Sequence, residues 1–164
     1  MKKHQIKTNA VRITEKQGIS YELREYEVDE SDLSGMNVAE KIGMPPEQVF
    51  KTLVVQGDKT GHFMACIPTD SELELKELAK ISGNKKVELI PVKDINFLTG
   101  YIRGGVSPVG AKKPFKVYLD ESAFKWQSIS VSAGVRGCQM ILNPKDLSKV
   151  VEIISAVISN KKSG

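Results

Sequence analysis

The chain has 164 residues, 40% hydrophobic and 27% charged, which suits one globular α+β-sized domain over 1–164, with about 1–7 and 160–164 as loose termini. Lys plus Arg number 24 against 20 Asp plus Glu, and the net +4 falls within residues 100–137, where six basic side chains face Asp120 and Glu121 alone. No apolar run approaches the roughly 18–20 residues of a membrane span and no h-region follows the basic start, so the sequence predicts a cytoplasmic protein with no membrane partner.

In chain order, Asn9–Lys16 reads as a short helix closed by Gly18, and Ile19–Tyr26 alternates as a strand. An acidic loop at Asp29–Asp32 leads to a helix over Asn37–Ile42, ended by Gly43 and blocked beyond by Pro45-Pro46. Val49–Gln56 and His62–Ile67 are strands joined by a Gly57–Gly61 turn, a hairpin signature. Ser71 and Glu74 have capping-box spacing, which predicts a helix over Ser71–Ser82 stopped by Gly83. Val87–Ile90 is a short strand and Val92–Leu98 a short helix or turn. A glycine-rich segment, Gly100–Lys113, follows. Strands are predicted at Phe115–Leu119, Ile129–Ser132 and Cys138–Leu142. Leu147, Val150, Val151, Ile154, Val157 and Ile158 then recur at helical spacing, predicting a last helix opened by Asn143-Pro144. The class that results is α+β: a mixed, strongly curved sheet with helices packed outside it.

Few residues are equipped for catalysis. Cys66 and Cys138 fit no zinc or redox spacing and read as reduced core residues. With only His4 and His62, a zinc site or a Ser-His-Asp triad has little to stand on, so no metal or cofactor is expected. Lys51 shares a strand face with Val49, Leu53 and Val55. It either snorkels to water from the strand start or is held in a site where burial or a charged partner tunes it. Gly104-Gly105 permits close backbone approach, so the 100–113 segment is either a wide hairpin loop or a cradle for a phosphate or developing oxyanion. It is no P-loop, because Ala111 stands where the lysine would be. Ser128, Ser130 and Ser132 share one face, which lines a polar pocket or meets solvent. Lys85, Lys86, Lys112, Lys113 and Arg136 are the basic groups placed to meet phosphates, if they are more than a solvated surface.

Taken in order, Pro46-Glu-Gln-Val-Phe-Lys-Thr-Leu-Val-Val55, Gly83-Asn-Lys-Lys-Val87, Thr99–Lys113, Ser132-Ala-Gly-Val-Arg-Gly137 and Asn143-Pro-Lys-Asp-Leu147 resemble the YbaK family of aminoacyl-tRNA editing deacylases. That family includes freestanding Cys-tRNA(Pro) deacylases and is related to the editing domain of bacterial prolyl-tRNA synthetases. The resemblance implies an open, barrel-like curved sheet surrounded by helices. It implies Lys51 as the essential lysine, Gly104 as the residue whose N–H faces the ester carbonyl, and Tyr26, Gly105, Ser107 and Ser132 around the aminoacyl pocket. Lys112, Lys113 and Arg136, with Lys85 and Lys86, would meet the tRNA acceptor end. No protein nucleophile is implied: water, or the thiol of a cysteinyl substrate, attacks the ester, the latter making the reaction formally that of a lyase. The implied partners are a misacylated tRNA and a prolyl-tRNA synthetase. Gln139 stands where some members carry aspartate, and Val106 lies in the glycine motif where members differ. Ala-tRNA(Pro), another small misacylated tRNA, or a noncatalytic tRNA- or synthetase-binding role are the alternatives. The oligomeric state is left open.

Overall fold

Helices and strands with local start and stop signals form where the sequence places them. The computed structural model describes residues 6–161, and among these are four α-helices, three 3-10 turns and ten strands. Of the segments expected to be loose, residues 1–5 and 162–164 lie outside the described part; Lys7 pairs with Glu15 at 2.9 Å, and Asn160 and Lys161 are in a strand. Helix α1 (Asn9–Lys16) is started by the Thr8 hydroxyl, which accepts from the Val11 N–H at 3.2 Å. Helix α2 (Gly35–Ile42) begins two residues before the predicted Asn37, because Ser34 serves as its N-cap, and it ends at Gly43 with φ 73°.

Strands β2 (Phe50–Gly57) and β3 (Gly61–Pro68) make the predicted hairpin, in register from the Phe50–Pro68 pair to Gly57–Gly61. With β5 (Val87–Leu89), β6 (Val117–Asp120) and β9 (Ile153–Ala156) they form a five-stranded sheet in the order β5-β2-β3-β6-β9. It is antiparallel from β5 to β3 and parallel from β3 to β9. A second, antiparallel sheet runs β1-β8-β7, built from β1 (Tyr21–Glu25), β7 (Ile129–Ser132) and β8 (Cys138–Leu142). The α+β class stands: the strands divide among three sheets that are not closed into a barrel, and a lone parallel bridge between Val49 and Ser130 links β2 to β7. The main core lies between the two larger sheets, where Phe50, Val54, Met64 and Leu119 meet Val131, Met140 and Leu142. On the other face of the five-stranded sheet, Val55, Phe63, Ala65 and Ile67 pack against Leu78, Ala79 and Ile158.

Two helix predictions are corrected. Ser71 lies in a strand, β4 (Ser71–Leu73), paired with β10 (Ser159–Lys161), so helix α3 starts later (Leu75–Ser82) and Glu74 caps it without a side-chain bond. The predicted last helix is a 3-10 turn, Pro144–Lys149, followed by β9 and β10. The β-branched run fits a strand because its neighbours face opposite ways: Ile153 packs on the main core and Ile154 on the second. The edge of β6 supplies the pairing, and the Asp120 carboxylate accepts the Ile158 N–H at 3.0 Å. Tertiary partners outweigh a helical period here.

Candidate active site

Strand β2 is only partly covered on the edge away from β3. Strand β5 pairs with Val55–Gly57, the Ile90 N–H reaches the Val54 carbonyl at 3.1 Å, and the bridge to Ser130 holds Val49, with the remaining edge of β2 between them. A cleft of about 400 Å3 lies along that edge. Because the bridge is parallel, Lys51 and Ser132 stand two residues past it on their respective strands, on the two arms of the fork. Both line the cleft, with Gly104, Val106 and Gln139. Lys51 is half-buried and Ser132 buried, its Oγ accepting from the Gly134 N–H at 3.0 Å. The hydroxyl row is therefore not a solvated face, and Ser130 donates to Gln139 Oε1 at 2.7 Å in the interior. Among the described residues, two cations, Lys51 and Arg103, and no acidic residue line the cleft.

The far wall is the glycine-rich segment. Gly104 has φ +87°, a conformation that favours glycine. The Arg136 side chain lies across it: a Cβ at Gly104 would stand 3.2 Å from Arg136 Nε, which donates to the Arg103 carbonyl at 2.7 Å. Gly105 donates to the Ile102 carbonyl at 2.8 Å and packs so closely on Val135 and Arg136 backbone that a Cβ would meet it at 3.0 Å. The Gly104 N–H has no acceptor among the described residues. Ser107 is fully buried and accepts from the Val109 N–H, so it shapes the loop from behind instead of lining the cleft. Tyr101 ties the loop shut by donating to the Val109 carbonyl; burial pushes its hydroxyl up to about 12, which keeps it a donor.

Tyr26 lines a smaller adjoining pocket with Arg136, which shares Leu33, Val38 and Gly104 with the cleft. Arg136 also pairs with Glu30 at 3.5 Å. Lys112 and Lys113 are exposed and outside the cleft lining; Lys112 Nζ donates to the Phe97 carbonyl at 3.1 Å. Lys85 and Lys86 donate their backbone N–H groups to Asp58, which lies seven residues along the chain from Lys51, about 20 Å in a strand. The structure thus brings Lys51, Gly104 and Ser132 together and leaves the two lysine pairs elsewhere. Sequence reasoning missed Arg103 as a wall residue, and it missed the start of α2, whose Ser34, Gly35 and Met36 also line the cleft and present a positive helix end. The N-cap Ser34 was the available signal.

Among the described residues the cleft lining holds no histidine, cysteine or carboxylate, and His4 lies outside the described part. His62 stands at the far end of β3, opposite Gln56. Cys66 and Cys138 are buried free thiols, pushed by burial up to about 12 and about 11, and neither lines the cleft. Among the described residues no group of three or more His, Cys, Asp or Glu is placed to hold a metal ion, and no helix is long and apolar enough to cross a membrane.

Residues 35–150 match the model of the aminoacyl-tRNA editing domain. The chain belongs to that family. It is 47% identical over 161 residues, 98% of each chain, to an Enterococcus faecalis protein named "Putative Cys-tRNA(Pro)/Cys-tRNA(Cys) deacylase EbsC". A segment of 79 residues is 32% identical to the proline–tRNA ligase of Fervidobacterium nodosum, 48% of this chain against 14% of that one. A solved structure described as "a putative trans-editing enzyme for prolyl tRNA synthetase" superposes with a TM-score of 0.79 at 23% identity, covering 97% of this chain and all of the other, which establishes the shared fold. The chain is accordingly an enzyme of the aminoacyl-tRNA editing family, and the cleft along strand β2 is its candidate site.

Proposed function

We propose that this protein, over its whole length, is a cytoplasmic trans-editing enzyme that removes cysteine from Cys-tRNA(Pro), with the β2–β7 fork as its active site. The observation that carries the reading is the composition of that fork: among the described residues it has two cations, a glycine N–H with no acceptor, and neither a carboxylate nor a histidine. An aminoacyl ester is already activated, so the site needs chiefly to position it and to stabilise negative charge on its carbonyl oxygen. The Gly104 N–H donates to that oxygen. One preorganised donor of this kind is worth roughly 10²–10³ in rate. Lys51 anchors the ribose or phosphate of the terminal adenosine or orients the attacking group. Ser132 lines the aminoacyl side, and Gln139, fixed by Ser130, sets what that pocket accepts.

The attacking group comes from water or from the substrate. With the cysteinyl thiol as nucleophile, sulfur bonds to the carbonyl carbon and the ester C–O bond breaks. The thiol proton passes to the departing ribose oxygen, so tRNA leaves intact and the amino acid leaves as a cyclic thioester. The enzyme works beside a prolyl-tRNA synthetase, a reading supported by the similarity of its 79-residue segment to a proline–tRNA ligase. The test is deacylation of Cys-tRNA(Pro), Ala-tRNA(Pro) and Cys-tRNA(Cys) by the purified protein. Release of cysteine from Cys-tRNA(Pro), with a large loss of rate for the seryl analogue, is expected. Preference for Ala-tRNA(Pro) would reassign the substrate, and no release from any of the three would remove the enzymatic reading of this site.

A further inference from the structure

We infer that the outer face of helix α4 (Val92–Thr99), centred on Phe97, is a stacking platform for single-stranded RNA beside the cleft. The inference rests on the proposed tRNA substrate and adds a binding surface to it. One side of α4 is accounted for: Val92 and Ile95 line the cleft, and Ile95 and Leu98 pack on the main core. Phe97 is on neither surface. It is 77% exposed, more than any other large apolar side chain among the described residues. A phenyl ring left in water forgoes the stabilisation that burial would provide, and Phe97 belongs to none of the apolar clusters among the described residues.

One cation stands over the ring, and the surrounding sequence is basic. Lys112 Nζ stands 5.5 Å from its centroid, and Lys93 is one helical turn before it on the same face. From residue 92 to 116 there are five basic side chains, Lys93, Arg103, Lys112, Lys113 and Lys116, against Asp94 alone. The bond from Lys112 to the Phe97 carbonyl at the helix C-terminus explains the lysine; it asks nothing of the aromatic side chain. Single-stranded RNA answers both the ring and the charges, with bases to stack and phosphates to neutralise. An eight-residue helix is about 12 Å long, so a base on Phe97 lies within one helix length of the cleft wall at Val92.

The test is binding of a fluorescent CCA-ended oligoribonucleotide and of uncharged tRNA(Pro) across a salt series. Phe97→Ala is expected to weaken both by roughly 5- to 100-fold, the span of one lost base stack. Phe97→Trp retains affinity, and Phe97→Leu behaves like the alanine variant. Hydrolysis of a small aminoacyl-adenosine ester, which does not reach the platform, stays at the wild-type rate in all three. Unchanged RNA binding by Phe97→Ala overturns the inference, as does full affinity in Phe97→Leu, the mark of plain apolar docking. RNA binding that depends on Phe97 in a protein without deacylase activity keeps the platform and removes the proposed reaction. Deacylation of tRNA that ignores Phe97 does the reverse.

Discussion

Arg136 donates from Nε to the main-chain carbonyl of Arg103 at 2.7 Å and covers Gly104, so the turn between β7 and β8 holds a residue of the cleft wall. The sequence suggests Arg136 as a phosphate-binding group; under the proposed function its contacts also suit it to position Gly104. The two roles separate experimentally. On a small aminoacyl ester that lacks the tRNA body, Arg136→Ala is expected to lower kcat by about 10- to 100-fold, a fraction of the effect of losing an oxyanion donor, with KM changed less. Arg136→Lys keeps the charge but loses the fixed Nε donor and is expected to resemble alanine. Wild-type kcat in the lysine variant would return Arg136 to the role of a plain cation.

Gly35 opens α2 directly beneath Thr69. A Cβ there would lie 1.7 Å from Thr69 Oγ1 and 2.7 Å from its Cβ, and Thr69 is itself tied down through its N–H to the Val49 carbonyl at 2.8 Å. Gly35→Ala is therefore expected to destabilise the fold by about 1–3 kcal/mol, the usual range for overpacking, despite the better helix propensity of alanine. Urea unfolding measures this. An unchanged or higher midpoint would mean that α2 shifts freely.

Asp120 is 5% exposed and fully engaged, taking the Ile158 N–H at 3.0 Å on one oxygen and the Ser122 hydroxyl at 2.6 Å on the other. Asp120→Ala leaves those donors without their charged acceptor, so a loss of about 2–4 kcal/mol is expected. Amide exchange in β9 and β10 should rise. Asp120 does not line the cleft, and KM for the ester is expected to stay at its wild-type value.

Alkaline pH should unfold the protein through its interior. Burial raises Cys66 from 9.0 to about 12, Cys138 from 9.0 to about 11, and Tyr101 from 10.0 to about 12; the Glu25 carboxylate adds to the rise at Cys138. Each is a raised native pKa, so the folded state holds its proton more tightly than the unfolded chain. That stability is complete below pH 9 and is lost as pH climbs from 9 toward 12. Each titrating group steepens the decline by up to about 1.4 kcal/mol per pH unit. A urea midpoint that stays level from pH 8 to 11 would contradict these burials.

What the sequence disclosed about this fold followed the range of the interaction. Ile129–Ser132 and Cys138–Leu142 were bounded correctly because alternation and a small-residue turn are local signals. Ser71-x-x-Glu74 and the 147–158 stripe misled because both satisfy a helical rule, while the deciding contacts, β4 with β10 and β6 with β9, join residues far apart in the chain. The site shows the same limit. Resemblance pointed to Lys51, Gly104 and Ser132, but Lys51 and Ser132 meet through the Val49–Ser130 bridge and Gly104 is held by Arg136, neither of which a local pattern encodes. Net charge located the Lys112–Lys113 region and passed over Lys51, which sits among charges that cancel.

The central claim is that the β2–β7 fork performs the deacylation, with Lys51 indispensable to it. Single-turnover release of cysteine from Cys-tRNA(Pro) by wild type and Lys51→Ala tests it most directly, with urea unfolding confirming that the variant is folded. A loss of about a hundredfold or more is predicted, in the range for removal of a positioned catalytic group. Equal rates for the two proteins would contradict it.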